Sequence, residues 1–279
     1  MSATLRKAIR EYLKKIPTGH EENARRVVND LRVGLNAGTI RAAERGEDGT
    51  WVVNSWVKEG ILLAFRLGKL RPIGEGSVQP YFDKDSWPIK PLTLGHGVRV
   101  VPGGTSIRDG SYVAPGVVVI PPSFINVGAY VDAGTMVDSH ALVGSCAQIG
   151  RRVHISAGAQ VGGVLEPAGA MPVIVEDDVM LGGNTGVFEG VIIRERAVLA
   201  PGTILSGGTV VYDLVKDTTY RRDGEVPLEI PAGAVVVPGT RPVKSGPGKK
   251  LGIALYAPVI VKYRDEKTDA ALQLEELLR

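Results

Sequence analysis

Between residues 101 and 211 an aliphatic side chain returns at every sixth position. The first run is Val101, Ile107, Val113, Val119, Ile125, Val131, Val137, Val143, Ile149, Ile155 and Val161; after a break the beat resumes at Val175, Leu181, Val187, Ile193, Leu199, Leu205 and Val211. Four places after most of these stands a small or β-branched residue, such as Thr105, Val117, Ala129, Thr135, Ala147 and Thr203. A period of six fits neither an α-helix nor a simple hairpin meander, but it is the mark of hexapeptide parallel β-helix repeats. Side chains alternate along a strand, so the aliphatic and the small residue point inward and those between them point out. Coils stacked about 4.8 Å apart then bury a continuous aliphatic column. The pattern predicts a prism with its chemistry on the outer faces.

The flanks follow other patterns. Residues 18–21 (TGHE) read as a capping box, and Ala24, Val27, Val28, Leu31 and Leu35 keep helical spacing up to Gly38. Residues 39–53 suit a hairpin turning at Glu47-Asp48-Gly49, and Asn54 or Ser55 suits the cap of a second helix through Leu67. Proline and glycine between residues 72 and 91 predict a linker. The expected division is a helical domain with its linker over 1–90, the β-helix over 91–240 and a strand and helix extension over 241–279. Val161 and Val175 stand fourteen residues apart where two hexads make twelve, so VLEPAGAMP (164–172) is read as a loop bulging from one corner. In a solenoid such insertions gather on a functional face. Beyond residue 211 come a charged segment (216–229), a brief return of the beat in IPAGAVVVPGT, the basic run KSGPGKK (244–250), a strand-like ALYAPVIVKY and an amphipathic helix near 268–278. The basic run lacks the glycine spacing and the Ser or Thr of a P-loop.

Composition narrows the class. Only 5% of the 279 residues are aromatic while 36 are glycine, as a thin aliphatic core with many corners requires. One cysteine, Cys146, excludes an internal disulfide and a thiolate metal cluster. A net charge of +3 is too small to argue for nucleic acid, and no apolar run approaches the ~20 residues of a membrane span. The expectation is a soluble cytoplasmic protein.

Polar residues projecting from the coils are the candidates for chemistry: Asp132, Asp138, His140, His154, Glu166, Asn184 and Glu189. Asp138 directly follows an inward aliphatic, so its carboxylate faces out from a rigid strand, suited either to holding an amine or to capping a corner. Glu189 falls at a corner. His140 and His154 are fourteen residues apart, short of the eighteen of one full turn, and no metal site is expected. Cys146 reads as a small packed thiol.

The stretches INVGAYVDAGTMVDSHALVGSCAQIG, VGGVLEPAGAMPVIVEDDV, FEG and VYD, with WVVNSWVKEGILLAFRL before the prism and LYAPVIVK after it, resemble the tetrahydrodipicolinate N-succinyltransferase family over most of the chain. The resemblance implies a mainly β protein, a left-handed parallel β-helix, assembled as a homotrimer with active sites in clefts between neighbouring prisms. It implies transfer of succinyl from succinyl-CoA, a cosubstrate and not a tightly bound cofactor, to the amine of ring-opened tetrahydrodipicolinate, giving N-succinyl-2-amino-6-ketopimelate. By motif position Arg99 matches a substrate-binding arginine and Asp138 the aspartate that binds the amine. Two departures stand out: His140 replaces a tryptophan of VDTWA, and GGNTGVFEG replaces GARSEVVEG, so that a family glutamate falls on Gly186 and Glu189 is the nearest carboxylate. The expected arrangement gives Asp138 and Glu189 catalytic roles, Gly182 and Gly183 the oxyanion, and Lys244, Lys249 and Lys250 the CoA phosphates. An N-acyltransferase that uses acetyl-CoA, another CoA thioester or another amine acceptor, and a noncatalytic scaffold, are the alternatives.

Overall fold

The computed structural model describes residues 2–73 and 81–265. The beat of six folds as a three-sided prism in which each hexad gives one two-residue strand and one corner. Three hexads close a turn, so residues eighteen apart pair in parallel, as at Tyr112↔Tyr130 and Val119↔Val137. The first face carries Arg99–Val100, Val118–Val119, Met136–Val137, His154–Ile155, Met180–Leu181 and Val198–Leu199; the second carries Ser106–Ile107 through Ile204–Leu205; the third carries Tyr112–Val113 through Glu229–Ile230. Val119, Val137, Ile155, Leu181 and Leu199 are fully buried, stacked in one column. The small residues of the beat, Val117, Thr135, Val153, Val179 and Ala197, line the same core.

The first turn departs from the beat. Val100, not Val101, pairs with Val119, and seven residues then lead to Ile107. Gly103 and Gly104, with φ of 138° and 91°, make room for the extra residue where no coil lies below. The break at 164–172 is an excursion between the strands Gln160–Val161 and Ile174–Val175, which are otherwise consecutive.

The N-terminal region holds three helices, α1 (Ser2–Lys14), α2 (Glu21–Asn36) and α3 (Ser55–Leu67), with a hairpin of β1 (Ala43–Arg45) and β2 (Trp51–Val53). Helix α1 was not among the expected elements, although Leu5, Ile9 and Leu13 recur every four residues and pack into the helical core. The TGHE capping box is absent: His20 is the N-cap of α2 and makes no side-chain cap. Asn54 stands at the N-cap of α3 but gives its amide to Arg41 O, tying the hairpin to the helix. A capping box does form further on, between Thr93 and His96 around a single 3₁₀ turn. The expected linker is partly structured: β3 (Leu70–Ile73) pairs with β4 (Tyr81–Lys84), and Trp87 is buried.

Past residue 211 the chain makes an antiparallel ribbon (Val211–Asp213 with Thr218–Tyr220), returns to the third and first faces, and forms a hairpin (Thr240–Pro242 with Ala254–Tyr256) whose loop holds the short helix α4 (Gly246–Lys250). The strand Val259–Tyr263 then inserts between Ala234–Val237 and Val211–Asp213. The helix expected near 268–278 lies outside the described residues. Among the described residues no helix is long and apolar enough to cross a membrane.

Candidate active site

Asp138 follows the inward Val137, and its backbone N–H donates to Ile155 O in the ladder, which fixes the side chain outward at the edge between the first and second faces. Its Oδ1 accepts the Ser139 N–H at 2.7 Å, leaving Oδ2 turned toward His154 Nε2 at 3.9 Å. One carboxylate oxygen is therefore locked by backbone and the other faces the imidazole. Arg99 projects from the same face and is exposed, two strands below Met136–Val137, or about 10 Å at the usual strand spacing. Gly182 shares Asp138's column two turns above. Its N–H is committed to Leu199 O at 2.8 Å, so the expected oxyanion role does not hold for Gly182. Gly183 keeps an N–H that bonds to nothing among the described residues.

Glu189 occupies a different edge, between the second and third faces. Both Glu189 (φ 54°) and Gly190 (φ 75°) are left-handed, the geometry of a type I′ turn, which presents the glutamate outward while Gly207 N–H holds its Oε2 at 3.0 Å. A single chain therefore does not bring Glu189 beside Asp138. Glu189 instead lines a cleft of about 1130 Å³ with the loop residues Val164, Glu166, Pro167, Ala170 and Met171, and with Phe188 and Arg222. Gly186 lies in the second face beneath the Phe188 ring: a Cβ there would stand 2.5 Å from Phe188 Cε2, and one on Gly162 would stand 2.7 Å from Phe188 Cδ1. The ring occupies the space that a side chain at Gly186 would need.

Lys244, Lys249 and Lys250 are exposed on and just before α4, beyond the last coil, and Tyr256 of the same hairpin accepts Ile204 N–H on the second face at 2.7 Å. Cys146 is fully buried against the helical domain, and burial pushes its thiol up to about 12, which removes it as a nucleophile at neutral pH. Among the described residues no three His, Cys, Asp or Glu side chains converge as a metal site. Sequence reasoning missed Phe188, Arg222 and Lys58. Lys58 alone left a signal: it shares the α3 stripe of Ile61 and Phe65, a position where a lysine has to be buried.

A profile for the tetrahydrodipicolinate N-succinyltransferase N-terminal region matches residues 4–67, and one for the hexapeptide repeat of succinyl-transferase matches residues 172–206. The 2,3,4,5-tetrahydropyridine-2,6-dicarboxylate N-succinyltransferase of Polynucleobacter asymbioticus is 45% identical over 269 residues, covering 94% of this chain and 92% of that one. The chain belongs to the tetrahydropyridine-dicarboxylate N-succinyltransferase family. Two further members are N-succinyltransferases of the same name. That of Psychrobacter cryohalolentis is 44% identical over 284 residues, with 100% of this chain and 98% of that one covered. That of Brucella ovis is 45% identical over 287 residues, with 99% and 98% covered. As in this N-succinyltransferase family, the prism is a left-handed parallel β-helix, a handedness that the spacing of the repeat did not supply.

Proposed function

We propose that the protein transfers succinyl from succinyl-CoA to the amine of ring-opened tetrahydrodipicolinate, in lysine and diaminopimelate biosynthesis. The observation that carries this is the similarity along nearly the whole chain to enzymes named for that reaction. It is supported by an aspartate held outward on the motif that carries the resemblance.

The amine must be neutral to attack, and its proton must find an acceptor as the nitrogen–carbon bond forms. Asp138 Oδ2 orients the amine and takes that proton, with His154 beside it. Of the two expected oxyanion donors, Gly183 is the one whose N–H is not spent in the ladder. The tetrahedral adduct then collapses, the carbon–sulfur bond breaks, and the thiolate leaves as CoA. Arg99, two strands away on the same face, pairs with the far carboxylate of the substrate, ideally through two parallel hydrogen bonds. Lys244, Lys249 and Lys250 take the CoA phosphates.

Asp138 and Glu189 sit on different edges of one prism, and a homotrimer reconciles them by setting the Asp138 edge of one protomer against the Glu189 cleft of its neighbour. The working enzyme is in this reading a cytoplasmic trimer, and light scattering on the purified protein checks its mass. Thiol release measured with tetrahydrodipicolinate tests the reaction: turnover with succinyl-CoA well above that with acetyl-CoA supports it, and the reverse preference overturns the donor. Asp138→Asn lowers kcat by about 10² or more with the oligomer intact, a loss typical of a removed acid–base group.

A further inference from the structure

Lys58 is fully buried, one of the largest side chains in the molecule with no exposed surface. Among the described residues its ammonium makes one hydrogen bond, to Ala170 O at 2.5 Å, across 112 residues of sequence. Ala170 belongs to the loop at 164–172 that walls the Glu189 cleft. The next residue, Met171, is pressed against the corner that carries Glu189, for a Cβ on Gly190 would stand 2.6 Å from Met171 O. The other end of the loop is also held by the helical domain, since Leu165 packs on the cluster of Leu35, Trp56, Ile61 and Cys146.

A buried ammonium with one acceptor is a poor device for stability. Desolvating the charge costs several kcal/mol in general, and an apolar side chain of similar volume commonly serves as well or better. What a methylene chain tipped by a charge can do, and an apolar chain cannot, is fix one carbonyl of an otherwise irregular loop through a charge-assisted hydrogen bond. We infer that Lys58 is a positioning residue for the acyl transfer: reaching out of the helical domain, it clamps the loop carbonyl of Ala170 and so sets the wall of the Glu189 cleft against which the amine substrate is held. This rests on the reading of that cleft as part of the acylation site. It gives the helical domain a task in catalysis although no residue of that domain supplies chemistry.

The test compares the full-length wild type with Lys58→Met, which keeps the volume, and Lys58→Gln, which keeps a donor. Hydrogen exchange of the loop amides reads the clamp, and steady-state kinetics with succinyl-CoA and tetrahydrodipicolinate read its use. In Lys58→Met the loop amides exchange at least tenfold faster, and the KM for the amine substrate rises about tenfold while kcat changes by less than about threefold. Lys58→Gln falls between this variant and the wild type. Unchanged exchange in Lys58→Met overturns the clamp. Faster exchange with unchanged kinetics overturns instead the assignment of the cleft to the reaction, and with it the positioning role. If neither variant folds, Lys58 is a stability residue and the inference fails.

Discussion

At Gly186 a single hydrogen stands under the Phe188 ring, and the two positions form one unit. Gly186 has no need of glycine's backbone freedom, so alanine there is a test of space alone. The Cβ would sit 2.5 Å from Phe188 Cε2 and 3.0 Å from Ile204 Cδ1. Gly186→Ala should cost about 1–3 kcal/mol as an overpacked site. Phe188→Val in the same chain should recover most of it, and urea unfolding of the four-member cycle measures the coupling. The sequence showed that a carboxylate was missing at Gly186. It did not show what had taken its place, because the direction of the ring follows from the left-handed pair at 189–190 and from Gly162 one turn below. Asp138 was legible, since a residue directly after an inward aliphatic has one direction open to it. That Gly182's N–H is already spent in the ladder was not, for glycine corners look alike as letters.

The hairpin of β1 and β2 was readable from its Asp-Gly turn, but its docking site was not, being 125 residues away at Glu176. Glu176 is buried and accepts from Trp51 Nε1 at 2.8 Å, Arg45 at 2.6 Å, Arg194 Nη1 at 2.9 Å and the Glu195 N–H at 3.1 Å. Burial is the largest influence on its carboxyl and pushes it up, yet the hydrogen bonds from Trp51 and Arg45 and the charges of Arg194 and Arg45 together hold it below the usual carboxylate value. A carboxyl depressed in the folded state stabilises fully above its unfolded value, and that contribution is lost as pH falls through the folded one. Acid should therefore loosen the hairpin, read as a change in tryptophan fluorescence below about pH 4.5 that a Trp51→Phe variant lacks. Glu176→Gln should abolish this dependence and cost about 2–3 kcal/mol at neutral pH, because Arg45 loses its charge partner and Arg194 keeps only Glu229. The helix α4 makes a different kind of prediction. If its lysines hold phosphates, Lys249→Glu with Lys250→Glu should raise the KM for succinyl-CoA about tenfold at low salt, with the difference shrinking as salt screens the charges.

A stack of coils has two raw ends, and the chain closes them unequally. At the bottom Val100 remains 40% exposed. At the top the strand Val259–Tyr263 comes back into the first-face sheet, and the Tyr263 hydroxyl donates to the buried Asp213 Oδ2 at 2.6 Å. Burial, and then the Asp213 carboxylate, push the phenol of Tyr263 up, which keeps it a donor at any ordinary pH. Tyr263→Phe should cost about 1–3 kcal/mol, the price of a buried carboxylate short of one partner, in a denaturation experiment. The sixfold period made the prism legible at this scale, while its upper closure draws on a strand with no beat at all.

The helical domain also touches the third face turn after turn. Gly38 lies on Tyr112, Arg41 stacks 3.7 Å over Tyr130 and bonds Gln148, and Ala43 packs with Ile174 and Ile192. Those five outward residues belong to five successive coils. A bare solenoid is joined only neighbour to neighbour and can fray from either end. A splint laid across five rungs removes that freedom, because no rung beneath it can open alone. Amide exchange in the third-face strands from Tyr112–Val113 to Ile192–Ile193 should thus report one shared opening free energy, while Ile204–Leu205, above the splint, opens more cheaply.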